Sequence, residues 1–503
     1  MALTIEQSPV NSTDMVPVIT NWTPMIGYML YQDDISGYFF YRLVCTVEQV
    51  DADGDVVKTL GVLKQRRNGY GPDNDGATQR ARAFFDLAGI VNSQLVDTVY
   101  DQNDTGAPFR TLHALGDNHS DKIFSNNGDK TEDFWQIIRV KITGSEWYSE
   151  SATEIPSSQG DTVTDTLIWM AATLPLFTER DDDTDYIQGT AFYRYRMSSL
   201  TSYFLSDLFP NLQQTELGVT YIARTFVRED DYHTLGFLND NASFGSEVKY
   251  MQITYYDTDG SIIGSNQYIE NVSANGGFDP TDPGGIMEDK NRLLYFGCGP
   301  KNLEEADDVP SATSLVAPIT WTDGNARPSL FPGWKYYKIV PYDGTYQTTG
   351  APVFFFKQGD SCKGYKIRRL AWRNSLGCYD YWNFNMKSTQ TIEIDRNNYS
   401  TVLGTFNKSK WRYNNTQRGK VTRKTTAILK ETLQSDWMTQ TDALLMEKLI
   451  VSTNVQIVAN KDTEFTQGVI LTDSSFIKKT RANDRLIQYT INIEYANPIN
   501  TNS

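Results

Sequence analysis

The chain is poor in the residues that most often carry chemistry. It has 4 cysteines and 3 histidines in 503 residues. Four thiols (Cys45, Cys298, Cys362, Cys378) spread this thinly do not make a disulfide scaffold. With no C-x-x-C pair and only His113, His119 and His233 to help, a zinc site is not expected. The spacing predicts four reduced thiols in a chain made in a reducing cytoplasm. No apolar run approaches the roughly 18–20 residues that span a bilayer. The start, MALTIEQSPVNSTDM, lacks a basic segment leading into an apolar one, so neither export nor membrane attachment is expected.

Motifs are missing as well. There is no G-x-S-x-G, phosphate-binding P-loop, H-E-x-x-H or G-x-G-x-x-G. D-A-D-G-D at 51–55 begins like a calcium loop, but Gly54 is fourth rather than sixth and residue 62 is Val rather than Glu. It reads as a solvated turn, and the acidic run at 181–185 reads as a hydrated loop. No catalytic residue, cofactor or metal site is therefore expected, and the chain is read as a non-enzyme.

What the sequence has in quantity is aromatic and β-branched residues: 29 Tyr, 24 Phe and 10 Trp. Tyr38–Gln49, the turn DADGD and Val56–Leu63 read as a β-hairpin, because Asp and Gly tolerate the positive φ of tight turns. The same arrangement returns at Val248–Tyr256, DTDG and Ser261–Ile269, which hints at a duplicated β-sandwich. In RLIQYTINIEY, Ile487, Tyr489, Ile491, Ile493 and Tyr495 alternate with more polar neighbours and mark one buried face. Alternation in YDYWNF (379–384) sends half of that cluster inward.

Two helices are expected. One covers Gln79–Leu95; the other covers Asp436–Ile450, with Ser435 or Asp436 as its cap. Polar loops are placed at 150–166, 180–185, 275–285 and 304–314. The predicted fold is mainly β, with several antiparallel β-sandwich-like domains in tandem and a few short helices. Residues 1–150 form a first sandwich-like domain, 151–200 an acidic polar linker and 201–360 a second sandwich-like domain. Residues 361–503 form a basic β domain with the amphipathic helix at about 436–450.

Charge is distributed unevenly. The net charge is −16, which argues against general binding to nucleic acid, and direct DNA contact is not expected. Yet Lys366–Lys430 holds 14 Lys or Arg against three acids. A cluster of one sign is either a solvated sheet face or a contact for an acidic neighbour. The candidate assembly surface is Lys366, Arg368, Arg369, Arg373, Lys408, Lys410, Arg412, Arg418, Lys420, Arg423 and Lys424. The acidic N-terminal half of a neighbouring copy is one candidate partner, which would give a homo-oligomer in the form of a closed ring or trimer.

Several segments carry a resemblance: the opening L-T-I-E-Q-S-P-V-N, the hairpin FYRLVCTVEQVDADGDVVKTLGVLKQ and the loop RRNGYGPDNDG. YFLSDLFPNLQQTELGVTYIARTF, RRLAWRNSLGCYDYWNFNMKST and the ending RLIQYTINIEYAN add to it. Together they are similar to virion structural proteins of tailed bacteriophages. The resemblance implies a tail, neck or baseplate component located in the virion, with other virion proteins as partners and no catalytic residues. The alternative is a receptor- or glycan-binding tail fibre or adhesin, less readily a depolymerase. No fixed-period repeat or heptad shaft of the kind such proteins use is visible.

Overall fold

In the computed structural model, the described residues include 39–50, 54–66, 81–94, 137–153, 158–170, 202–209, 223–239, 248–270, 293–304, 333–343 and 345–359. From 364 to 473 and 487 to 497 the description is nearly continuous, and shorter stretches fall among the earlier segments. The acidic run 181–185, the loop 275–285, Cys362 and His119 lie outside the described residues.

The protein is mainly β, built from separate sheets, with three short α-helices among the described residues. Contacts divide it into two units. The first is Met1–Gln358 with the turn Arg373–Asp380; the second is Gly359–Trp372 with Tyr381–Ser503.

The first unit contains the same arrangement twice. In one five-stranded sheet, Val56–Arg66 pairs with Phe39–Val50, then comes Ile137–Ser149, then Ser158–Met170, and Val18–Ile19 lies parallel at the end. In the other, Ile262–Glu270 pairs with Tyr250–Tyr256, then come Tyr336–Tyr342, Val353–Lys357 and the parallel strand Ala223–Val227. Both D-x-D-G hairpins thus hold the same edge of equivalent sheets. The companion sheets match as well. Gly27–Gln32 pairs with Ala81–Asp86, as Thr234–Asn239 pairs with Leu293–Gly297. In each case a five-residue helix follows, Ala88–Asn92 or Pro300–Glu304.

In the second copy the two sheets face each other across one core. Phe237, Leu294 and Phe296 pack with Met251, Ile253, Tyr255, Tyr337 and Phe355. Tyr337 stacks on Phe355 with centroids 4.8 Å apart. The turn before Ile262–Glu270 needs its glycine: Gly260 has φ +79°, and the Asp257 carboxylate accepts from the amides of Asp259 and Ser261.

Two expectations are corrected here. Residues 158–170 are not linker. They form a strand paired along most of its length with Ile137–Ser149, and Trp169 is fully buried. The helix expected over 79–95 is a strand to Asp86 and a helix only at Ala88–Asn92. Pairing with Gly27–Gln32 outweighs the helical spacing of Ala81, Phe84 and Phe85.

The second unit centres on a seven-stranded sheet. Its order is Tyr379–Phe384, Arg368–Arg373, Val455–Val458, Gln467–Leu471, Thr490–Tyr495, Lys420–Gln434 and Thr389–Ser400. Ile487, Tyr489, Ile491 and Ile493 are buried, as their alternation requires, and Tyr495 at the end of the set is half-buried. The helix runs Gln440–Val451, four residues later than the spacing suggests. Thr439 caps it: its hydroxyl oxygen accepts from the Asp442 amide, and Asp442 accepts in return from the Thr439 amide. Residues upstream are held elsewhere, since Met438 bridges to Ile487.

Candidate assembly arm

Two strands of the seven-stranded sheet outrun it. Thr389–Ser400 pairs along its whole length with Lys420–Gln434, from Thr389 opposite Thr432 to Ser400 opposite Lys420. The next strand, Thr490–Tyr495, pairs only with Lys430–Gln434. From Leu429 outward the two strands form a ribbon with no third strand. At about 3.3 Å per residue, the paired stretch from Ile392 to Ser400 spans roughly 25–30 Å. Every residue of Thr389–Ser400 is exposed, and its outer edge is unpaired among the described residues.

The ribbon is anchored at its root. Glu431 accepts from Arg368 Nε (3.0 Å), Tyr495 Oη (2.7 Å) and Gln390 Nε2 (3.1 Å). Arg368 also donates to Thr463 Oγ1 and to the Asp462 carbonyl. Burial alone would push Glu431 up, but Tyr495, Gln390 and Arg368 hold its carboxyl below the usual range. Farther along, Lys430 pairs with Glu393 and, at 3.8 Å, with Glu494. Beyond these, Arg423 sits at a bulge: Asn397 opposes Lys424 and Asn398 opposes Thr422.

The tip is a second, smaller hairpin, Thr405–Asn407 with Lys410–Arg412. Lys408 (φ +44°) and Ser409 (φ +71°) make its turn, both in the left-handed region. Phe406 and Trp411 are directly opposite and share one face; Lys410 and Arg412 take the other. A Cβ on Gly404 (φ +90°) would lie 2.7 Å from Trp411 Nε1 and 2.6 Å from the Arg412 carbonyl oxygen, so glycine is required under that ring. Five apolar side chains are exposed within twelve residues: Val402 (81%), Leu403 (46%), Phe406 (71%), Trp411 (53%) and Tyr413 (70%). A monomeric surface does not usually concentrate so many. Thr401 Oγ1 donates to the Arg418 carbonyl and the Thr401 amide to that of Gly419, closing the tip onto the ribbon. Arg396–Lys424 holds eight basic residues and no acid.

The eleven candidate residues divide accordingly. Lys408, Lys410, Arg412, Arg418, Lys420, Arg423 and Lys424 lie together on the arm, all exposed. Lys366 is exposed, but on the segment leading into Arg368–Arg373. Arg368 and Arg369 are removed from the surface: they are 7% and 0% exposed. Arg368 is held by Glu431, and Arg369 lies over the Tyr381 ring and donates to Asn383 Oδ1 at 3.0 Å. A charge count along the chain cannot see that this strand is covered. Arg373 is half-buried in the turn that belongs to the first unit.

The aromatic clusters separate too. All of Tyr379–Phe384 is buried, not half of it, and Trp334 and Tyr337 are core residues. Phe39, Phe40, Trp437 and Phe465 are exposed elsewhere, while the arm carries four exposed aromatics, Tyr399, Phe406, Trp411 and Tyr413, scattered singly through a polar stretch. Their signal in the sequence was the absence of acids around them.

Among the described residues of the first unit, the buried Asp380 lies beside the half-buried Asp207. Asp380 accepts from Ser206 Oγ (2.5 Å) and the Asp207 amide (2.9 Å), while Asp207 accepts from the Ser375 hydroxyl (2.6 Å) and amide (3.1 Å). Burial, with Asp207 nearby, pushes Asp380 up to about 7. His113 and His233 are both buried, with their rings edge-on to Tyr379 and Phe355. Cys45, Cys298 and Cys378 are buried thiols.

No protein-family model and no curated protein matches the chain. Among solved structures it is similar to a bacterial adhesin from Mobiluncus mulieris containing intramolecular disulfide, isopeptide and ester bond cross-links. The identity is 7% and the TM-score 0.17, covering 71% of this chain and 97% of that one. A likeness that distant carries no argument about function.

Proposed function

We propose that the chain is a non-enzymatic structural subunit of a tailed-phage virion, in its tail, neck or baseplate, and that the arm joins it to a neighbouring subunit. The observation that carries this reading is the arm itself. It leaves the sheet as a ribbon, exposes one strand completely and ends in an apolar, basic tip. Such a surface is an aggregation hazard on a lone protein and a joint in an assembly. The resemblance to virion proteins supports the same reading, with other virion proteins as partners and the virion as its location.

The test is incorporation. Arg418→Glu, Lys420→Glu and Arg423→Glu together alter exposed side chains, which should change stability by no more than about 0.5 kcal/mol each. The expected result is a folded subunit missing from particles. Incorporation at the normal level would reduce the arm to a solvated ribbon.

A further inference from the structure

The two units differ in charge. The second unit has 20 basic and 12 acidic residues, a net of +8; the first has 26 and 50, a net of −24. The arm alone accounts for +8, since Arg396–Lys424 contains no acid.

We propose that the arm tip docks on the acidic first unit of a second copy of this chain, in a head-to-tail contact. This rests on the assembly reading and names the partner. Three observations lead to it. Charge complementarity is present within the chain's own sequence, so a second copy supplies what the arm lacks. An arm-to-arm contact would set +8 against +8, which disfavours the symmetric pairing of like surfaces. The tip is two-faced: Phe406 and Trp411 on one side have apolar area to bury, while Lys410 and Arg412 on the other reach acidic side chains beside it.

The contact therefore joins two different surfaces. Repeated from copy to copy, it closes into a ring when the rotation permits and otherwise extends as a filament. The basic ribbon behind the tip, with Arg418, Lys420, Arg423 and Lys424, adds long-range attraction. That attraction should weaken as the Debye length falls from about 10 Å at 0.1 M salt to about 3 Å at 1 M.

The experiment is sedimentation of the purified full-length chain over a concentration series in 0.1 M and 1 M salt. It is run beside two variants, Arg418→Glu/Lys420→Glu/Arg423→Glu and Phe406→Ser/Trp411→Ser. Urea unfolding of each variant checks that it is folded. The proposal expects the wild type to associate at 0.1 M salt and to do so at least tenfold more weakly at 1 M. Both variants should remain single chains. An equimolar mixture of wild type and the charge-reversed variant should still form mixed species, because the variant keeps an intact first unit. Association that persists in both variants overturns the proposal. So does a wild type that stays monomeric throughout. If that monomer still needs its arm to enter particles, the partner is another virion protein and the assembly reading stands. If it binds a DNA oligonucleotide through the arm, the partner is nucleic acid. Normal incorporation of the charge-reversed variant would instead defeat the assembly reading itself.

Discussion

The first unit and the end of the second use the same residue types to opposite ends. In the first unit, aromatic and β-branched residues alternate into cores, and a sandwich pattern is repeated with its D-x-D-G hairpin on the same edge. On the arm, the same types of residue face solvent. The difference is the third strand. Where Tyr250–Tyr256 has neighbours on both sides and a facing sheet, all but Tyr256 are buried; beyond Leu429 the ribbon has one pairing, and Ala427 alone of its described residues is buried. Strand formation is local, whereas burial depends on what packs against the strand.

The buried carboxylates extend the contrast. Glu431, in the second unit, accepts from Tyr495, Gln390 and the Arg368 guanidinium and is held low against its burial. Asp380, in the first, is pushed up by its burial and by the Asp207 carboxylate beside it, against the pull of hydroxyl and amide donors. These two carboxyls should therefore contribute pH dependences of opposite sign.

The largest effect is expected at Glu431. Glu431→Gln leaves the Arg368 guanidinium buried without its counter-charge, which typically costs about 3–5 kcal/mol. The urea midpoint of the second unit should fall accordingly, and a change near zero would mean the arm root is held by packing alone. Because Glu431 is held below its unfolded value, its contribution is present above about pH 4.5 and is lost as pH falls through the folded value.

Asp380 has the opposite sign. Its carboxyl titrates at about 7 when folded and near 3.8 when unfolded, so stability is greatest below about pH 4 and declines as pH rises through 7. The urea midpoint of the first unit should drop between pH 5 and pH 8. Asp380→Asn should flatten that dependence while lowering stability at pH 5, since an amide nitrogen cannot accept from the Asp207 amide. An unchanged slope in the variant would remove Asp380 as its cause.

A smaller effect is expected at the tip. Replacing Lys408-Ser409 by Asn-Gly suits two consecutive positive φ angles and should stabilise the arm by about 0.5–1 kcal/mol. Hydrogen exchange at Phe406 and Trp411 reads this directly, with slower exchange expected. The smallest effect concerns the thiols. Burial pushes Cys45 and Cys378 up to about 12, so at pH 8 neither should be alkylated in the folded protein within minutes. Four thiols should react in denaturant without reductant.

Much of this fold was legible in short-range pattern. Both D-x-D-G hairpins and the alternation from Ile487 to Ile493 announce themselves within a dozen residues. The repeat of the whole sandwich was visible only as its two hairpins, because its remaining strands are set by pairings between distant segments such as Ala223–Val227 with Val353–Lys357. Ala81–Asp86 misled because Ala and Phe at helical spacing also suit a strand with a partner. The site was half legible. A basic excess pointed to residues 366–430, yet Arg368 and Arg369 lie in a covered strand, and only pairing shows that the sheet ends before the ribbon does.

Carbodiimide cross-linking between isotope-labelled and unlabelled copies is the most direct test of the charge contrast. It joins lysines to carboxylates that touch and distinguishes bonds between copies from bonds within one. The account predicts mixed-label cross-links from Lys408 or Lys410 to acids within residues 1–358, lost at 1 M salt. Arm lysines that remain unlinked, or that link only within a single copy, would contradict it.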